Sequence, residues 1–105
     1  MSSKIQLVHI QTLEQLHNLS IENRVKFLRT TTDDFIRFLC NCLFNILENV
    51  ISGFSKNDLI KWQSQIQLLV AKDVSINQKR TVWRSPKGQF LLSLIITPVL
   101  KYVKD

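Results

Sequence analysis

The stretch Phe35-Ile36-Arg37-Phe38-Leu39-Cys40-Asn41-Cys42-Leu43-Phe44-Asn45-Ile46-Leu47-Glu48-Asn49-Val50-Ile51 decides the fold. It is apolar on nearly every side, and Arg37 and Glu48 are its only charged residues. A helix with almost no polar face belongs at the buried centre of a bundle. Its start is marked by Thr31-Thr32-Asp33-Asp34, which reads as a capping box pairing Thr31 with Asp34 and sets two carboxylates at the positive end of the helix. Its end is expected at Ser52-Gly53, because Gly53 can adopt the left-handed conformation that closes a helix.

Helical patterns extend outward on both sides. Toward the N-terminus, Ser20 reads as an N-cap for a short helix whose Ile21, Val25 and Leu28 share one face, beside Phe27 and flanked by Arg24, Lys26 and Arg29. Before it, Ile5, Val8, Leu13 and Leu16 make about three turns. Toward the C-terminus, Ser55 with Asp58 opens an amphipathic helix carrying Leu59, Trp62, Ile66, Leu69 and Val70. Ser75 with Gln78 forms a further capping box, opening a short helix through Arg84. Ser85-Pro86-Lys87-Gly88 reads as a loop, and a last apolar segment, Phe90–Ile96, meets Pro98, which is expected to kink or break it. With no internal repeat, linker or low-complexity tract, the expectation is a single all-α domain over residues 1–105: a compact bundle of five or six helices around the 35–51 segment.

Composition agrees with that class. A hydrophobic share of 45% argues against disorder, and two Gly and two Pro in 105 residues disfavour a turn-rich β-barrel or sandwich. Chemistry is thinly represented. Gly53 and Gly88 lie too far apart for a dinucleotide fingerprint or a phosphate-binding loop, both of which need clustered glycines. His9 and His17 sit in no metalloprotease or nucleophile motif and read as surface or interface residues. Cys40 and Cys42 point roughly 200° apart on a helix, so they cannot pair with each other and read as core thiols rather than zinc ligands. Asp33 and Asp34 are accounted for by helix capping. No enzyme activity, cofactor or metal is expected. The start at Met1-Ser2-Ser3-Lys4 has no signal-like apolar region, and no run reaches the ~20 apolar residues of a bilayer span, so the expected setting is intracellular and not secreted.

Charge points further. The formal net charge is +6; residues 1–50 carry five basic and five acidic side chains, whereas residues 51–105 carry nine basic and three acidic. The excess concentrates in Lys72, Lys79, Arg80, Arg84 and Lys87, against Asp73 alone. Such asymmetry suits a polyanion or anionic surface. Lys79, Arg80, Arg84 and Lys87 are the candidate phosphate contacts for nucleic acid, since Lys and Arg neutralise backbone charge and release counterions. Trp62 falls on an amphipathic stripe and reads as core; Trp83, between Arg80 and Arg84, reads as core in preference to a base-stacking or lipid-interface role. The terminal segment has two readings: it closes the core, or its apolar residues, with Phe90, Leu94 and Val99 as contacts, meet a membrane surface or a protein partner.

The stretch Thr32–Cys40 with Cys42 and Asn45-Ile46-Leu47, then Leu69-Val70-Ala71-Lys72, Val74-Ser75, Lys79-Arg80, and Lys87-Gly88-Gln89-Phe90-Leu91 with Pro98 and Leu100, resembles small basic proteins of Maverick/Polinton-type elements and adintoviruses. The likeness spans residues 32–100; its most specific parts are the Asn45-centred helix and the basic pair followed by Lys-Gly-x-Phe-Leu. Gln89 stands where that pattern has a second glycine. The resemblance implies a non-enzymatic structural or virion-associated protein of a virus-like element, packaged with DNA or docked on a capsid or other viral protein. It also implies localisation to the virion or to the host-cell nucleus or cytoplasm.

Overall fold

The computed structural model describes residues 3–104, with side chains from residue 7 onward; the side chain of Ile5, assigned above to the first helical stripe, lies outside the described residues. Among the described residues there are seven helices and no strand: α1 (Ser3–His17), α2 (Ile21–Thr30), α3 (Asp33–Leu47), α4 (Lys56–Lys61), α5 (Gln63–Val70), α6 (Ile76–Arg84) and α7 (Pro86–Lys104). The radius of gyration is 12.7 Å, close to the about 13 Å of a compact chain this long.

Capping chemistry sets most of the starts. The hydroxyls of Ser20, Ser55 and Ser75 accept from the N–H groups of Asn23, Asp58 and Gln78, and Gln78 Oε1 accepts in return from the Ser75 N–H, completing a capping box. At α3 the cap is Thr32, one residue later than the sequence pattern implies: its hydroxyl accepts from Phe35 N–H at 3.1 Å. Thr31 is already engaged as the C-cap of α2, its N–H donating to Phe27 O. The end of α3 also differs from expectation. The helix closes at Leu47, because Asn49 takes the left-handed conformation (φ 60°) while Val50 N–H donates to Asn45 O and Asn49 N–H to Ile46 O, the bond pair of a Schellman motif. Asn tolerates that conformation better than other non-glycine residues. Gly53, at φ 101°, serves the following turn.

The second half holds three further departures. The helix expected from Ser55 to Val70 is two segments bent at Trp62, whose N–H still donates to Asp58 O and whose carbonyl accepts from Ile66 N–H. The expected 85–88 loop is a direct junction: Ser85 ends α6 with its N–H and caps α7 with its hydroxyl, and Pro86 takes the first helical position, where a missing N–H costs nothing. Finally, α7 continues through Pro98 to Lys104. A proline inside a helix costs about 3 kcal/mol. Burial of Ile95, Ile96 and Val99 on one stripe stabilises by roughly 1.5–3 kcal/mol for each side chain, and packing wins.

The core draws seven buried residues from α3 (Phe35, Ile36, Leu39, Cys40, Cys42, Leu43, Ile46) and seven from α7 (Gly88, Gln89, Leu91, Leu92, Ile95, Ile96, Val99). Trp83, fully buried, anchors α6, which packs against α2, α3, α5 and α7. The α6–α7 approach is very close at Gly88, where an added Cβ would lie 1.8 Å from Val82 O and 2.8 Å from Trp83 Cα.

Candidate nucleic-acid interface

The four basic residues singled out by the charge pattern sit on α6 and the first turn of α7, and the structure gives them different roles. Arg80 faces inward. Its Nη1 donates to Leu28 O (2.8 Å) and Thr31 O (2.7 Å), and its Nη2 to Asp33 Oδ1 (2.6 Å), with the side chain only 12% exposed. The guanidinium therefore closes the C-terminus of α2 and ties it to the start of α3. This corrects its reading as a phosphate contact: its donors already point at protein acceptors. Lys79 and Arg84 are half-buried on α6, Arg84 with its Nε enclosed and without an acceptor. Lys87 is exposed in the first turn of α7, a turn without a carboxylate to offset the positive end of the helix.

The three apolar contact candidates also separate. Phe90 is 63% exposed and Leu94 37% exposed, one turn apart on the outer face of α7. Val99 is buried at 1% and packs in the core, which corrects its reading as a surface contact. The reason is helical geometry: Leu92, Ile95, Ile96 and Val99 follow the three-and-four spacing of the inner face, whereas Val99 is five residues beyond Leu94 and turns away from it.

Continuity of α7 assembles a face that the expected break at Pro98 concealed. Lys87, Phe90, Leu94, Thr97, Lys101 and Lys104 recur at spacings of three and four and are all exposed. Lys104 pairs with Glu14 at 3.2 Å. Beside Phe90 lies the Trp62 ring, centroids 6.0 Å apart and planes at 18°, with Lys61 Nζ 5.3 Å from the indole centroid. Sequence reasoning placed Trp62 in the core, where it is 9% exposed, and missed that it backs an exposed aromatic.

The remaining candidates are structural. Arg24, buried, donates from Nε to Leu16 O, from Nη2 to His17 O and from Nη1 to Ser93 Oγ, closing α1 as Arg80 closes α2; burial lowers its pKa from the ordinary guanidinium value. His9 packs against Phe38 and Phe35 at 5.1 and 5.8 Å. Asp34 pairs with Arg37 on the surface. Cys40 and Cys42 are buried free thiols. Burial raises both, Cys42 to about 12 with a smaller contribution from Cys40; at Cys40 the Trp83 indole and the Lys79 charge partly oppose the rise. Among the described residues no three metal-ligating side chains lie together, and no helix is long and apolar enough to cross a membrane.

Comparison with protein-family models, with curated proteins and with solved structures finds no match to this chain.

Proposed function

We propose that the chain is a small non-enzymatic protein that binds nucleic acid through the α6–α7 corner, with Lys79, Arg84 and Lys87 meeting phosphates and Arg80 holding the scaffold that presents them. The observation that carries this reading is the placement of charge: residues 51–105 hold nine basic side chains against three acidic ones, while the first half is balanced. The first half pairs Glu22 with Lys26 and Asp34 with Arg37, and among the described residues its Asp33 and Glu14 neutralise only Arg80 and Lys104 of the second half. An excess of cations favours a polyanion, because each phosphate neutralised releases counterions. The resemblance over residues 32–100 supports a virion-associated or DNA-packaging role in a virus-like element, in the virion or the host-cell nucleus or cytoplasm.

The test is affinity for a short DNA duplex across a salt series. Contacts from Lys79, Arg84 and Lys87 predict a log–log slope of roughly −2.7, and Lys79→Glu with Lys87→Glu reduces its magnitude by roughly 1.8 or more. Absence of binding at about 50 mM salt, or a slope indifferent to both substitutions, rejects the proposal.

A second reading, docking of a capsid or other protein partner, draws on a groove of about 1120 Å³ between α1 and the end of α7, lined by Leu7, Ile10, Pro98, Tyr102 and Val103. A stable complex that forms equally at high salt distinguishes that reading from the first.

A further inference from the structure

Phe90 is the most exposed aromatic of the α6–α7 corner, at 63%, yet its ring is held in a defined plane by the Trp62 indole stacked on it. Trp62 is itself fixed, being 9% exposed and packed with the core. One face of the Phe90 ring is thus backed by a rigid second ring and the rest of it meets solvent. Cations bracket the pair: Lys61 Nζ lies 5.3 Å from the Trp62 ring centroid, and Lys87 precedes Phe90 by one turn of α7. A flat, oriented apolar ring between positive charges fits a ligand with flat apolar faces strung on an anionic backbone, which describes an unstacked nucleobase and its flanking phosphates. Duplex DNA buries its base faces in its own stack and offers only the phosphates.

We infer that this corner binds single-stranded nucleic acid, with one base stacked on the free face of Phe90 and adjacent phosphates meeting Lys61 and Lys87. The inference rests on the nucleic-acid reading above and narrows its ligand class.

Fluorescence anisotropy with a labelled oligothymidylate and with a duplex of equal length, at one salt concentration, tests it. The wild type binds the single strand more tightly. Phe90→Ala weakens single-strand binding by roughly five- to a hundredfold, the range for loss of one base–aromatic stack, and leaves duplex affinity unchanged. Phe90→Leu, which keeps apolar bulk but no ring, shows the same loss, and Phe90→Trp retains or strengthens binding. Equal affinity of the wild type for both ligands, or wild-type single-strand binding by Phe90→Leu, overturns the inference while leaving general polyanion binding intact. Absence of binding to either ligand overturns both, as does a preference for anionic phospholipid vesicles over the oligonucleotide.

Discussion

Two arginines from helix interiors close the ends of other helices. Arg24 bonds the last carbonyls of α1 and Arg80 those of α2, each using the planar fork of donors that a lysine lacks. Removing Arg80 leaves Leu28 O, Thr31 O and the Asp33 carboxylate without these donors. Charge-assisted hydrogen bonds of this kind contribute about 1.5–3 kcal/mol each when broken. Arg80→Ala is therefore expected to destabilise the fold by about 2–3 kcal/mol, moving the urea midpoint down by roughly 1–2 M, and Arg80→Lys recovers less than half of that. A midpoint unchanged by Arg80→Ala would return the residue to the solvent-facing set. Cys42 provides a second residue-scale prediction. Burial holds its pKa near 12 against an ordinary 9.0, so the folded state keeps the proton while the unfolded state releases it. Stability is then full below about pH 9 and falls as pH rises from 9 toward 12. At pH 8 the native thiol reacts with a disulfide reagent only after denaturation; fast reaction of the native protein would contradict its burial.

At the scale of elements, the α6–α7 junction is the most demanding feature. Ser85 serves both helices, Gln89 Nε2 bonds Trp83 O at 2.8 Å, and Gly88 brings the two backbones together. Gly88→Ala forces a methyl group against backbone atoms that cannot rotate aside, and is expected to cost about 3 kcal/mol or more. Gly53→Ala, where the nearest atom is Pro98 Cβ at 3.5 Å, meets only the positive-φ penalty of about 1–2 kcal/mol. Thermal unfolding of the two variants measures the difference, and equal shifts would contradict the close approach. The elements also explain what the sequence makes legible. Ser20, Ser55 and Ser75 announce helix starts because capping is local chemistry, readable from residues three apart. Pro98 misleads because its local cost is offset by tertiary packing of Ile95, Ile96 and Val99, which no local window contains. Arg80 misleads for a related reason: its acceptors lie 47–52 positions earlier in the chain. Phe90 and Leu94 are legible as candidate contacts in the sequence, whereas Lys101 and Lys104 join their face only because α7 continues through Pro98.

For the whole molecule, helical hydrophobic patterning and low Gly and Pro content are enough to give the all-α class, and a core of residues from six of the helices, with Ile51 and Trp62 between them, confirms it. The charge pattern acquires a shape only in three dimensions. The positive excess of the second half, less Arg80 and the Glu14-paired Lys104, includes Lys79 and Arg84 on α6 and Lys87 in the first turn of α7, the corner from which Phe90 projects against Trp62. Binding at that corner is read by an amide correlation spectrum of the full chain titrated with a short oligothymidylate at low salt. Saturable shifts confined to Lys61, Trp62, Lys79, Arg84, Lys87, Phe90 and their neighbours, reversed by added salt, are expected. Shifts centred on α1 and the outer face of α3, or none at all, would contradict binding at that corner.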